Sequence, residues 1–282
     1  MSQAQLVAQP VREDQQRGDV ALSAGVIRPA VSLAQRELVR FLRQRHRIIG
    51  ALATPMVFWL LIGGGMGRSI SFGGNGAESY IRFFFPGTLV MILLFTAIFS
   101  TISIIEDRRE GFLQSVLVAP IPRQTIVLGK VLGGTILASG QGLIFLLLAP
   151  LVGVRFTLGS FLFCVLLMIV ISFALTALGF CIAWRMSSTQ GFHAIMNLFL
   201  MPMWFLSGAL FPADGAWWGL KWVMRLNPLT YGLSALRHSM LRGTAIGGPG
   251  LWTSTVVSCL FAAALFFLAG VVARKTIGAD LQ

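Results

Sequence analysis

The sequence predicts an all-α integral membrane protein with six transmembrane helices and both termini in the cytosol. Three observations support this. The 282 residues are 56% hydrophobic and only 11% charged, against about 25% charge in a soluble domain. The charges are crowded: twelve lie in residues 1–47, and only twenty serve the rest of the chain. Six apolar stretches follow, each near the roughly 20 residues that cross about 30 Å of hydrocarbon. A soluble shell needs far more charge than this, so the composition excludes a soluble enzyme and a disordered tail protein.

Residues 1–30 are polar and lack the apolar core of a secretory signal, so they read as a flexible cytosolic tail and leave insertion to the first span. Over 31–47, Val31, Ala34, Leu38, Phe41 and Leu42 share one helical face, while Arg36, Arg40, Arg43 and Arg47 lie largely on the other. This reads as a basic amphipathic helix on an anionic inner leaflet; a solvated basic linker is the other reading. The spans are placed at 48–66, 83–105, 126–149, 158–184, 192–211 and 252–273 within a membrane domain of 48–273. Pro55, Pro86 and Pro202 fall inside spans, where neighbouring helices can satisfy the freed carbonyls. With both ends inside, fifteen Lys and Arg fall in cytosolic segments and seven outside, as the positive-inside bias requires. Two connections are long, a cytosolic one at 106–125 and an external one at 212–251, and a short cytosolic tail covers 274–282.

What the spans lack narrows the chemistry. No Asp, Glu or Arg is placed deep in a span, and Lys130, near the cytosolic end of the third, is expected to snorkel. Ion-driven carriers usually need buried ionisable groups. Only Gln141 and Asn197 bring amides to depth, either to bond neighbouring helices or to touch a substrate on its path, and His193 reads as interfacial. Cys164, Cys181 and Cys259 lie in apolar runs without metal-ligand spacing or a disulfide framework, so they read as packing residues. There is no GxxxxGK[ST] loop, no HExxH and no pair of membrane carboxylates. The chain is therefore expected to be no enzyme and to hold no metal or cofactor. The net charge of +12 reflects cytosolic Lys and Arg, not a nucleic-acid footprint. Energy for any work must then come from a partner pushing on a cytosolic segment.

The segment EDRREGFLQSVLVAPIPR, Glu106 to Arg123, could receive that push. Five charged residues, Glu106 to Glu110, precede Gly111. Phe112, Leu113, Val116 and Leu117 then form an apolar helical face, and Pro120 and Pro122 close the helix. Such a helix can lie on the membrane, dock in a partner's groove or simply reverse the chain. In the external loop, Trp218, Trp222 and Arg225 align at i, i+4, i+7 beside Trp217 and Lys221, suited to the headgroup layer. Asn227-Pro228 interrupts that helix, and 229–241 can form a second. By itself the pair reads as an aromatic anchor. Gly129-x-x-x-Gly133 permits close helix approach, read as packing within one subunit.

The 106–123 loop resembles the cytosolic loop of permease subunits of ABC type-2 exporters. In that family a glutamate-bearing charged turn ends in glycine and leads to a leucine-rich helix closed by "AP-x-x-R", here Ala119, Pro120 and Arg123. Phe112 stands where a Thr is common and Gln114 where a Glu is common. Ser207-Gly208 with Phe211-Pro212 is similar to the family's "SG-x-x-FP", and Asn227-Pro228-Leu229-Thr230-Tyr231 with Leu236-Arg237 to its "NPLTY…LR". The likeness covers about 31–275. It implies that Glu106, Asp107, Arg108, Arg109, Glu110, Gly111, Phe112, Leu113 and Leu117 couple to an ABC ATPase subunit, which would hold ATP and Mg. It further implies short external half-inserted helices in a re-entrant region at 212–251, an external gate at Trp218, Trp222, Asn227, Pro228 and Tyr231, and a second permease copy as a homodimer. The expected setting is a bacterial plasma (inner) membrane, with membrane lipid as the remaining partner. A mostly apolar path, with Gln141 and Asn197 as its candidate polar contacts, points to drug-like or lipid-like cargo. A polysaccharide or lipooligosaccharide permease is the alternative, and an ATP-independent channel or carrier stands further off.

Overall fold

The computed structural model describes residues 27–66, 80–118, 122–212, 215–241 and 248–275. Most of both predicted tails, with Ala119, Pro120 and the Leu117 side chain, lies outside the described residues. The described chain is helical, without a strand. Helix α1 covers 27–43 and α2 Arg45–Met66; α3 covers Tyr80–Ser100, α4 Ile102–Arg109 and α5 Phe112–Val118. Then come α6 (Arg123–Leu146), a 3-10 turn (Ala149–Val152), α7 (Leu158–Ala183) and α8 (Thr189–Phe205). The last three are α9 (Trp218–Leu226), α10 (Pro228–Met240) and α11 (Leu251–Lys275).

Helix α3 is apolar on every side, and a helix of that kind must be buried all round. Fifteen of its 21 residues are buried, and it packs on α2, α6 and α7. An aromatic knot ties it to two of them. The Trp59, Phe85 and Phe145 rings have centroids 4.5–5.6 Å apart, and the Trp59 Nε1 donates to the Ile81 carbonyl at 3.1 Å. Helices α2 and α11 keep apolar outer faces instead. Val57, Leu60 and Leu61 on the one, and Trp252, Val256, Leu260 and Phe267 on the other, are exposed, as side chains facing lipid or another apolar surface would be.

All six apolar stretches are helical, and among the described residues five helical segments are long and apolar enough to cross a membrane: Ile48–Gly65, Tyr80–Arg109, Arg123–Leu146, Leu158–Ala183 and Leu251–Arg274. The stretch placed at 192–211 ends early. Helix α8 has 17 residues, about 25 Å, because the chain turns at Ser207-Gly208, where Gly208 has φ +85. The turn is held from behind, since Ala209 packs so closely on Gly87 that a Cβ there would lie 2.9 Å from the Ala209 carbonyl oxygen.

Helix α1 already includes 27–30, ahead of the predicted start at 31, and its inner face differs from the one the apolar pattern predicted. Ala30, Leu33, Ala34, Glu37 and Phe41 are buried, whereas Val31 and Leu42 are exposed. The reason lies on α6. Gly129 and Gly133 leave a groove into which α1 sinks: a Cβ on Gly129 would lie 2.7 Å from the Leu33 Cβ, and one on Gly133 would lie 2.9 Å from the Glu37 Cβ. The Gly129-x-x-x-Gly133 motif thus serves packing inside one subunit.

Filling that groove has a defined cost. Gly133→Leu is expected to lever α1 off α6, at about 1–3 kcal/mol for an overpacked contact. A lower thermal midpoint of the purified protein, with faster proteolysis within 27–43, is the expected readout. An unchanged midpoint would show that α1 does not rest on α6.

Candidate functional site

Docking of α1 brings Arg36, Glu37 and Arg40 over the end of α4 and the first turns of α6. Asp107 sits at the centre, its side chain 0% exposed. It accepts a two-pronged hydrogen bond from Arg36 (2.8 and 3.0 Å), a third from Arg40 (2.9 Å) and a fourth from Lys130. Lys130 also donates to Glu37 Oε1 at 2.6 Å and to Ser103 Oγ at 3.2 Å. Arg40 continues outward to Glu106 at 3.0 Å and Glu110 at 3.1 Å. The Arg36 guanidinium lies 3.6 Å over the Phe112 ring. Its hydrogen bonds to Asp107 raise its pKa still further, so it stays charged.

Three helices therefore meet on one carboxylate. A buried charge is tolerated when it is paired and its lone pairs are filled, and Asp107 meets both conditions. The snorkelling expected of Lys130 does not occur: its side chain is 4% exposed, because two carboxylates replace water around its ammonium. Asp107 lies beyond the predicted span 83–105, near the end of the Tyr80–Arg109 segment, and is buried there by its partners rather than by depth in the span.

The rest of the charged turn is clamped from the other side. Arg108 donates to the carbonyls of Trp184 and Met186 and lies 5.7 Å from the Trp184 ring. Arg109 Nε donates to the Ser187 carbonyl at 3.1 Å. Gly111, with φ +75, provides the left-handed step that lets α5 leave at an angle. Of the nine residues predicted to face an ATPase, Asp107 and Leu113 point inward and Arg108 and Arg109 are bound to the 184–187 backbone. Glu106 is half-buried beside Arg40, as is Phe112 beneath Arg36. Glu110 is exposed, together with Gln114 and Ser115.

Next to this cluster a cavity of about 620 Å³ opens between α1, α2, α3 and α8. Its wall is mainly apolar and aromatic, with Phe41, Met91, Phe95, Phe99 and Met201, and reaches His193 and Glu106. The His193 ring lies 5.0 Å from that of Phe99. Gln141 and Asn197 do not meet in it. Gln141 is buried between α3 and α6, where the Thr96 hydroxyl donates to its Oε1, which is the interhelical role. Asn197 is on the exposed side of α8.

The predicted outer elements are held by their caps. Asn227 accepts from the Leu229 N–H at 3.0 Å and donates to the Met203 carbonyl at 2.6 Å, tying α8 to the start of α10. Pro228 occupies the first turn of α10, where a missing N–H costs nothing. The Tyr231 hydroxyl donates to the Arg225 carbonyl, and Trp218 and Trp222 are exposed. Arg36, Glu37, Arg40, Lys130 and Arg237 carry charge in the fold but were not singled out as sites from sequence. A lone glutamate at i+7 from Ala30, on the stripe of Leu33 and Ala34, was the available signal for Glu37.

The model of the ABC-2 type transporter family matches residues 30–241, from the first buried residue of α1 to the end of α10. Similar curated proteins include a "Putative transport permease ycf38" of Cyanophora paradoxa, 27% identical over 80% of this chain and 79% of that one. A "Nodulation protein J" of Sinorhizobium fredii is 28% identical over 82% and 87%. An "Inner membrane transport permease YadH" of Escherichia coli K12 is 24% identical over 84% and 91%.

Removing the central charge strands three cations. Asp107→Asn is expected to lower stability by about 3–5 kcal/mol, as for breaking a buried pair, whereas exposed Gln114→Ala should fall within about 0.5 kcal/mol of the parent. Denaturant unfolding of the purified protein checks this, and equal effects would remove the cluster from its central place.

Proposed function

Because the chain belongs to the ABC-2 type transporter family, we propose that it is the membrane permease subunit of an ATP-driven exporter. In this reading a separate ABC ATPase subunit binds ATP and Mg and supplies the work. The observation that carries the proposal is the clamped turn at 106–111. It is fastened by buried ion pairs to α1 and α6 and by Arg108 and Arg109 to 184–187, and it leaves Glu110, Gln114 and Ser115 open to a partner. Force applied to α5 passes into α1, α3, α4 and α6 together and moves them as a rigid body.

Helix α8 is the fifth span in this reading. Its 17 residues reach the lower limit for crossing the hydrocarbon, and both termini then lie in the cytosol. The exposed apolar faces of α2 and α8, including Leu60, Leu61, Leu198 and Phe199, belong to two of the helices that line the cavity and suit a second permease copy, with the route between the two. The apolar wall suits a drug-like or lipid-like cargo taken from the cytosol or inner leaflet, since pockets of this size and lining bind such molecules. A glycan-bearing cargo is the second reading, favoured by Phe41, Phe95 and Phe99 on that wall, whose rings can stack on sugar faces. The relative named an inner membrane transport permease supports a bacterial inner membrane as the location.

Glu110→Lys tests the coupling role at the exposed end of the cluster, where Glu110 pairs with Arg40, while Asp107 keeps Arg36 and Lys130. In proteoliposomes holding permease and ATPase, the expected result is normal insertion and ATP hydrolysis with cargo export reduced at least about tenfold, the effect of misplacing one mechanical contact. Full export by this variant would place the coupling elsewhere.

A further inference from the structure

A second charged centre lies at the other end of α3. Phe83 and Asp107 are 24 residues apart in the sequence, about 36 Å along the helices. Over Phe83, at 4.2 Å from its ring, sits the Arg237 guanidinium. Arg237 is 5% exposed. Its Nη2 donates to the carbonyls of Gly208 (2.7 Å) and Ala209 (3.2 Å), and its Nε is buried with no acceptor. Asp107 has three cations around it, whereas among the described residues Arg237 has carbonyl dipoles and an aromatic face.

Arg237 lines a pocket of about 410 Å³ with Lys221, Arg225, Tyr231 and Ser234. Lys221 and Arg225 are one turn apart on α9, so both can face the same space. No carboxylate is among the described lining residues. Three cations converging on one partly enclosed space repel one another and focus a positive potential into it. The neighbouring Trp217, Trp218 and Trp222 are exposed, as at the depth of lipid headgroups.

We propose that this pocket binds a phosphate-bearing anion, with Arg225 and Lys221 contacting the phosphate oxygens and buried Arg237 supplying the fixed charge behind them. Guanidinium forks and phosphate oxygens match in geometry. The phosphate belongs either to an anionic lipid headgroup or to a free anion, and the two sources can be separated experimentally.

The test uses the full chain without any ATPase, so it is independent of the export reading. The purified protein is placed in nanodiscs of phosphatidylcholine with phosphatidylglycerol, and retained lipid is read by native mass spectrometry, with inorganic phosphate as competitor. The expected result is retention of phosphatidylglycerol over phosphatidylcholine, weakened at least about tenfold by the double variant Lys221→Gln/Arg225→Gln, as for two lost surface cations. Arg155→Gln, outside the pocket, should leave it unchanged. Retention that inorganic phosphate does not displace marks the lipid headgroup as the source. Thermal stabilisation by inorganic phosphate, lost in the double variant, with no lipid preference, marks a free anion. No phosphate effect of either kind, or equal losses in Arg155→Gln, would overturn the proposal.

Discussion

A charge withdrawn from water must be paired, and one end of this fold is organised around that rule at Asp107. Its two oxygens accept from Arg36, Arg40 and Lys130, which come from two different helices, and Lys130 then requires Glu37. With α1 elsewhere, Asp107 would lose Arg36 and Arg40, and Lys130 would lose Glu37. The position of α1 is set in turn by Gly129 and Gly133, which bring its backbone close enough for the side chains to reach. Small residues and buried charges thus act on one contact, the first permitting the approach and the second specifying it.

That contact gives the charged turn its mechanical character. A turn held only by apolar packing could slide, because such contacts are nondirectional. Here Arg36 grips Asp107 with two hydrogen bonds, Arg108 and Arg109 hold the 184–187 backbone, and Phe112 lies beneath Arg36. The side chains left outward, Glu110, Gln114 and Ser115, are carried by a base with little freedom to yield. The apolar cavity lies directly beside this base, with Glu106 and Phe41 belonging to both, so movement of the turn and the shape of the cavity are linked through shared residues.

The two ends of α3 solve the same electrostatic problem differently. Around Asp107 opposite charges neutralise one another, and the centre is closed. Around Arg237 the compensation comes from carbonyls and the face of Phe83, and a basic pocket remains open beside it. Between the two runs an apolar slab about as thick as the hydrocarbon core, within which Thr96 and Gln141 bond α3 to α6.

Much of this was legible in the residues themselves. Apolar runs near span length, crowded N-terminal charge and proline-closed loops predicted a helical membrane protein, and the motifs at 106–123, 207–212 and 227–237 predicted its family. These are local properties, set by side-chain hydropathy and by backbone rules that act over one or two turns. The inner face of α1, the burial of Lys130 and Asp107, and the early end of α8 were not legible. Each depends on partners distant in sequence: Glu37 and Lys130 are 93 residues apart, and Ala209 meets Gly87 across two helices. Composition determined that the chain lives in a bilayer, while only the tertiary structure decided which of its few charges face water and which face one another, because the cost of burying a charge depends on what the fold brings beside it.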